Sequence, residues 1–434
     1  VCRMSLTRLS ELYTVTVIML CGWFGSSIKV AAVKQKVYIV TEYIGLNHNS
    51  TAYYWAKIAI HFNEIFDLQV ICPRNRYTEG FFTDTGIAVS YVKDLGLDKN
   101  RLVTRVLGQL KYAWSFNRKI LTAVSKNDVV FTGTNPIIGV FFTALLKKIK
   151  GFNWLVLCHD IFPNNLIPSA VMQPGFKYRL LEKLFAVVYK TPDAIAPIGR
   201  DMAAMLIKKG VKQDRVHVIP NWADHQSVQV TAKEDNPIIQ QLGWQDKIVF
   251  CFFGNIGRLQ GIPNLLAGLA LVKSENARFL FIGGGAAQAQ VVDFVTKTGG
   301  INTHYYGELE LKDNNLGLNC GDVALVTLGK GMFGLGVPSK AYFSMAADKP
   351  ILLVADQDSE LDLLIKEYPL GWSCPGGDPA KLAQKIDEIC VDFSHKQSQF
   401  TPRKTMVDNF SEHSSLHKYA ALVSNLGSDS RDNH

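Results

Sequence analysis

From residue 37 onward the chain alternates short continuous apolar runs with longer segments whose apolar residues recur every three or four positions. Residues 37–41, 69–72, 128–132, 154–158, 194–198 and 216–219 are runs rich in Val, Ile, Leu or Phe. Runs of that length without polar alternation predict parallel strands covered on both faces. Residues 50–66, 137–150, 176–189 and 201–209 carry a helical stripe, and Gly210 suits the position just past the last of them. Asn221-Trp222-Ala223-Asp224 closes this series, and the polar stretch 225–236 has no apolar period and reads as a linker. A second series follows, with strands predicted at 248–253, 278–282, 304–306, 323–326 and 351–354 and helices at 262–272, 361–367 and 379–389. Strand–helix alternation predicts a doubly wound parallel sheet. Two such series predict two Rossmann-like domains facing a cleft. The boundaries implied are 33–224 for the first domain, 225–245 for the linker, 246–395 for the second domain and 396–434 for a C-terminal segment, whose polar tail after Ser424 is expected to fray.

Composition narrows the class. A chain of 434 residues is too long for one ordinary core, and 47% hydrophobic with 19% charged residues suits a well-buried enzyme. The net charge of +8 fits an acidic ligand or an anionic surface, without the dense basic field of a nucleic-acid binder. The eight cysteines are scattered with no Cys-x-x-Cys pair, which predicts free buried thiols in a reducing cytoplasm. Arg3 and Arg8 precede an apolar run over 12–24 that is short for a membrane span of about 20 residues. Residues 1–32 are therefore expected to be an extension or an anchor, outside the fold.

Two loops carry candidate chemistry. Phe253-Gly254-Asn255-Ile256-Gly257-Arg258-Leu259-Gln260-Gly261 lies between a predicted strand and a predicted helix. Such a turn lets backbone N–H groups approach a diphosphate at a helix start. Further on, Gly334-Leu335-Gly336-Val337-Pro338-Ser339-Lys340, then Met345-Ala346-Ala347-Asp348-Lys349-Pro350-Ile351-Leu352, reads as loop, helix and strand. Together the two resemble the nucleotide-sugar-binding half of GT-B glycosyltransferases, and above all the retaining family 4 enzymes that build bacterial capsule and O-antigen sugars.

The resemblance spans about 37–389 and implies a GT-B fold, retention of configuration, no metal and no cofactor beyond a nucleotide diphosphate-sugar co-substrate. Relatives carry G-R-L-x-x-x-K-G in the first loop. Here Asn255 stands at the Arg and Gln260 at the Lys, with Arg258 displaced into mid-loop. The diphosphate and sugar are then expected to meet Gly45, Gly254, Asn255, Arg258, Gly336, Ser339 and Lys340. Ser339 also suits a helix N-cap. The E-x7-E carboxylates of relatives fall at Leu335 and Phe343, so both are absent. Gly283, in the glycine turn Gly283-Gly284-Gly285, and Tyr306 are implied to face the base, although Tyr306 reads equally as a core residue.

In the first half, Cys158-His159-Asp160-Ile161-Phe162-Pro163 puts polar groups at a strand's carboxyl end, where such sheets bind ligands. Relatives line the sugar site with this segment, so His159 or Asp160 would orient the acceptor hydroxyl or accept its proton. A helix cap by Asp160 is the plain alternative. His48, His61 and His217 show no metal-ligand spacing and are taken as structural. Arg101, Arg105, Lys111, Arg118 and Lys119 interleave with Trp114 and Phe116, and Lys147, Lys148 and Lys150 close the next helix. Such helices suit either ordinary packing or peripheral contact with an anionic membrane. The resemblance implies a lipid-linked or oligosaccharide acceptor and a cytoplasmic place, and a lipid-linked acceptor would favour peripheral contact at the inner face of the plasma membrane. Two other readings stay open: a nucleotide-sugar 2-epimerase, and a non-catalytic nucleotide-sugar-binding subunit.

Overall fold

The computed structural model describes residues 34–46, 49–94, 102–391 and 393–429. The expectation for residues 1–32, and His48, Arg101, Cys2 and Cys21, lie outside them. The first half contains β1 Lys36–Val40, α1 Ser50–Ile65, β2 Asp67–Pro73, β3 Val89–Val92, α2 Leu102–Ala123, β4 Val129–Gly133, α3 Gly139–Lys150, β5 Asn153–Cys158, α4 Phe176–Tyr189, β6 Ala194–Pro197 and α5 Arg200–Lys208. In the second half, β7 is Ile248–Phe253, α6 Ile262–Leu269, β8 Ala277–Ile282, β9 Thr303–Gly307 and β10 Val323–Thr327. After them come α7 Lys340–Ala346, β11 Ile351–Ala355, α8 Glu360–Glu367 and β12 Gly371–Pro375. A last helix, α9, is Glu412–Asp429.

Both sheets have six strands, ordered β3-β2-β1-β4-β5-β6 and β12-β11-β10-β7-β8-β9, and every pairing is parallel. Counted within its own half, each sheet has the same doubly wound order. Each therefore opens a crevice beyond its strand ends where the order reverses, at β1/β4 and at β7/β10. The central strands are buried along their lengths, since helices cover both faces. Local signals agree with the packing: the Asn49 side chain caps α1 by accepting from the Ala52 N–H at 2.9 Å, and α1 then buries Trp55, Ala59 and Phe62.

Two expectations need correction, and two strands were missed. The run at 216–219 forms no strand of its own: it lies along β6 with one bridge, Ile195 to Val216, and with the His217 and Ile219 N–H groups donating to the Ile195 and Pro197 carbonyls at 2.9 and 3.0 Å, and of its four side chains Ile219 alone is buried. The edge strands β3 and β12 were not anticipated. The expected fraying after Ser424 is absent up to Asp429, because Tyr419 and Val423 bring α9 into the first domain's core against α1.

The stretch 225–245 is polar, as read, but it is held down. The Asn319 side chain binds the backbone at Gln229 and Thr231, and the buried Lys233 ammonium lies 2.9 Å from the Asp322 carboxylate. Its last part is the helix Pro237–Leu242, packed with Trp244 against β7 and β8. The six cysteines among the described residues are all free.

Candidate functional site

At the carboxyl end of the second sheet, three glycine loops close on one another. The Gly254 N–H donates to the Ile282 carbonyl at 2.8 Å, the Ile256 N–H to Gly284 at 2.7 Å and the Gly329 N–H to Leu259 at 2.7 Å. Backbones come this close only where side chains are missing. A Cβ on Gly283, whose φ is 134°, would lie 2.0 Å from the Gly254 oxygen, and one on Gly261 would lie 3.0 Å from the Gly329 Cα. Gly254 differs: at φ 113° its missing side chain faces open space, with nothing within 4 Å.

Arg258 opens a single 3-10 turn ahead of α6 and is exposed. Its guanidinium has no ion pair or side-chain hydrogen bond among the described residues. Asn255 does something else. A Cβ on Gly257 would meet its Nδ2 at 2.9 Å, and one on Gly285 its Oδ1 at 2.5 Å, so its amide folds back across its own loop. Tyr306 is 38% exposed on β9, whereas the hydroxyl of Tyr305 donates to the Gly283 carbonyl at 3.0 Å.

The loop after β10 faces the first domain. Ser339 has helical dihedrals and makes no side-chain cap, so the expected N-cap is not formed. Lys340 turns inward: its Nζ sits 3.1 Å from the Gln260 Oε1 and 3.5 Å from the centre of the Phe252 ring. Burial lowers its pKa to about 7. Gln260, at the position where relatives place a Lys, thus holds an amine supplied by the neighbouring loop. Phe343, where the resemblance puts a Glu, packs edge-on against Tyr53 of the first domain at 5.8 Å.

Across the cleft, β5 ends at His159 and Asp160. Aromatic packing fixes this segment. His159 stacks on Tyr54 at 6.0 Å, and the Tyr54 hydroxyl donates to the Trp222 carbonyl at 3.0 Å. Phe162 packs on Phe185 of α4 at 4.7 Å, while its N–H donates to the Tyr189 hydroxyl at 3.1 Å. The Asp160 carboxylate accepts no hydrogen bond among the described residues and caps no helix. It faces Gly336: a Cβ there would lie 3.5 Å from Asp160 Oδ1 and 3.4 Å from the His159 oxygen. Burial pushes the Asp160 carboxyl up to about 6 and the His159 imidazole down to about 4. At neutral pH the pair is an ionised carboxylate beside a neutral imidazole, and the carboxylate's proton affinity suits a general base.

Gly45, in the loop after β1, has φ 138° and closes against the Tyr77 carbonyl, where a Cβ would sit at 3.4 Å. The structure thus gathers His159, Asp160 and Gly336 at the domain boundary, with Gly254, Arg258 and Gly283 on the glycine loops and Lys340 beneath them. Among the described residues no group of three or more His, Cys, Asp or Glu side chains could hold a metal ion. His61 stacks on His417 of α9 at 5.0 Å.

The reading of the sequence missed the clasp that joins the domains. The Asp201 Oδ2 accepts from the N–H groups of Gly334 (3.1 Å) and Glu360 (3.2 Å), and the Glu360 carboxylate accepts from the Arg200 N–H at 2.6 Å and from its guanidinium. Helices α5 and α8 begin face to face, each first turn supplying the acid that caps the other. A further backbone bond, Ile161 N–H to the Leu335 carbonyl at 3.3 Å, ties the Asp160 segment to the Gly336 loop. The only local signal was an acid in each first turn.

Comparison with known proteins places this geometry in a family. Residues 62–222 match the family described as Glycosyl transferase 4-like domain. WbjE of Pseudomonas aeruginosa, named as a probable glycosyltransferase, is 43% identical over 399 residues, covering 91% of this chain and 99% of WbjE. WcaI of Escherichia coli (strain K12), whose name puts it in colanic acid biosynthesis, is 27% identical over 179 residues, 41% of this chain and 44% of WcaI. Among solved structures, Anabaena HepE in complex with UDP superposes with a TM-score of 0.69 at 14% identity, over 90% of this chain and all of HepE (100%).

Proposed function

The chain belongs to the GT-B glycosyltransferases of the family 4-like type, and from that premise we propose that it moves a sugar from a nucleotide diphosphate-sugar to the hydroxyl of a lipid-linked saccharide. The transfer retains configuration, uses no metal and serves cell-surface polysaccharide synthesis at the cytoplasmic face of the membrane. HepE was solved in complex with UDP, and WcaI is named for colanic acid; both support the reading.

The observation that carries it is the Asp160 carboxylate, which accepts no hydrogen bond among the described residues and faces Gly336. In this reading the backbone around Gly254 and the Arg258 guanidinium take up the charge that develops on the departing diphosphate. Asp160 accepts the acceptor's proton as the new glycosidic bond forms. Its raised basicity suits that task, and the neutral His159 beside it leaves the carboxylate without an ion pair. Closure of the two domains around donor and acceptor excludes the water that would otherwise hydrolyse the donor.

Thermal shifts with UDP-, GDP-, ADP- and dTDP-sugars identify the donor. That donor should then release nucleoside diphosphate slowly alone and faster with membrane extract. Tight binding without turnover in either condition would instead support a binding subunit, and an epimerised sugar nucleotide would support an epimerase.

A further inference from the structure

We propose that Glu308 reads the ribose of the donor, so that the site prefers ribonucleotides to 2′-deoxyribonucleotides. This role rests on the glycosyltransferase reading, which leaves the ribose without a partner. Glu308 directly follows β9, where the chain turns at Gly307 with φ 101°. That end of β9 is pinned to the glycine turn after β8. The Gly283 N–H donates to the Gly307 carbonyl at 2.7 Å, and the Tyr305 hydroxyl donates to the Gly283 carbonyl at 3.0 Å.

The glutamate side chain lies across Gly284. A Cβ on Gly284 would fall 1.8 Å from Glu308 Oε1 and 2.6 Å from its Cδ, so the carboxylate fills the place of the missing side chain. One residue on, a Cβ on Gly285 would fall 2.5 Å from Asn255 Oδ1. A carboxylate and an amide thus meet on two neighbouring glycines. Neither makes a hydrogen bond or an ion pair among the described residues, and both residues are exposed. An exposed acid ordinarily needs no partner but water. This one is set apart by the glycine beneath it. Gly283 and Gly285 have positive φ and need to be glycine for that reason, whereas Gly284 does not. What its missing side chain provides is room for the carboxylate.

The diphosphate decides which part of the donor arrives here. Gly283 touches Gly254, whose own missing side chain leaves open space in the loop that carries Arg258. The ribose joined to a diphosphate held there would lie about one residue's length along the turn, beside Gly284. A carboxylate only accepts hydrogen bonds, and the 2′ and 3′ hydroxyls of a ribose offer two donors side by side. Carboxylates serve the ribose in this way in dinucleotide-binding sheets of the same doubly wound type. Most bases fit the place less well. Uracil and thymine present one N–H between two carbonyl oxygens, which a carboxylate repels, and only guanine offers it two parallel N–H groups. The Asn255 amide, with both a donor and an acceptor, suits the same pair of hydroxyls.

Calorimetry of the full chain with GDP, UDP and ADP, and with their 2′-deoxy forms, makes the test. The wild type should bind its preferred ribonucleoside diphosphate about 10–100-fold more tightly than the 2′-deoxy form. Glu308→Ala should lose about that factor with the ribonucleotide and almost nothing with the deoxynucleotide, a non-additivity that marks direct contact. Gly284→Ala should act alike, because the new methyl expels the carboxylate while the backbone at 284 accepts alanine. Asn255→Ala should lose less, about threefold. Equal affinity of the wild type for the two forms overturns the proposal, as does discrimination that Glu308→Ala retains. A loss in Glu308→Ala confined to guanine nucleotides, and equal for GDP and its deoxy form, would assign the carboxylate to the base and overturn it too. If Gly284→Ala loses its cooperative melt, Glu308→Ala decides alone. If no nucleoside diphosphate binds, the proposal falls together with the glycosyltransferase reading, whereas binding without discrimination sinks the proposal alone.

Discussion

The two domains share a strand order but bring different chemistry to the cleft. In the second domain the backbone forms the loops: glycines at 261, 283 and 329 remove side chains so that three loops bond to one another, and the one exposed cation in the first of them, Arg258, has no ion pair among the described residues. In the first domain side chains form it: Tyr54, Trp222, Phe185 and Tyr189 build an aromatic shelf that fixes His159 and Asp160 and desolvates them. A backbone cradle suits a fixed anion such as a diphosphate, and it cannot titrate. A desolvated carboxylate suits proton transfer, and burial sets where it titrates. In the proposed reaction this division would separate leaving-group stabilisation from acceptor activation, and substitutions on the two sides should then fail in different ways.

The largest expected effect is at Asp160. Asp160→Asn should lower kcat by about 10²–10⁴ with donor affinity retained, measured by single-turnover transfer and calorimetry. Wild-type activity should fall as pH drops through about 6, where Asp160 takes up its proton. Stability should run the other way. The carboxyl's pKa is raised by folding, so its contribution is fully present below the ordinary carboxylate range and is lost as pH rises through about 6. Asp160→Asn should therefore melt above the wild type at pH 7 and lose that advantage near pH 4. A variant that keeps full kcat would remove Asp160 from the chemistry and leave the first domain as a mere support.

On the backbone side, the expected loss is of fold before function. Gly283→Ala puts a Cβ at 2.0 Å from the Gly254 oxygen at a positive φ, and should cost at least about 3 kcal/mol in chemical denaturation. Gly254→Ala shares the positive φ without the clash. It should cost only about 1–2 kcal/mol, and should reduce donor affinity because the new methyl occupies the open space beside the loop. Equal costs at the two positions would mean that the loops are not held by close approach.

The contrast also explains what could be read from the sequence. Central strands such as β7 and β10 are buried on both faces, so they stand out as continuous apolar runs. The edge strands β3 and β12 are half-buried, contain Ser, Gly and Pro, and gave no such signal. The glycine loops were legible because a turn that lacks side chains leaves its mark in composition. Asp160 was visible as a polar residue at a strand end, but the residue it faces, Gly336, is remote in sequence. The Asp201–Glu360 clasp joins the starts of two helices from different domains. An acid in each first turn was its only local mark, and that does not name the partner helix.

The last prediction concerns the two cations, which test whether the second domain's site is truly divided between surface and interior. Arg258 is exposed and has no ion pair among the described residues, so Arg258→Ala should leave stability within about 0.5 kcal/mol. If the guanidinium holds the diphosphate, donor affinity should fall by about 1–3 kcal/mol, the usual loss for a charge-assisted hydrogen bond. Lys340 should behave differently. Folding lowers its pKa, so its contribution to stability is present above the ordinary lysine value and is lost as pH falls through about 7. Lys340→Met should consequently gain on the wild type as pH falls toward 7, whereas Arg258→Ala should show no such pH dependence. Calorimetry with the identified donor then separates their roles. Unchanged affinity in Arg258→Ala would move the anion site off the glycine loop. A loss in Lys340→Met alone would mean that the buried amine, released from Gln260, meets the phosphate in its place.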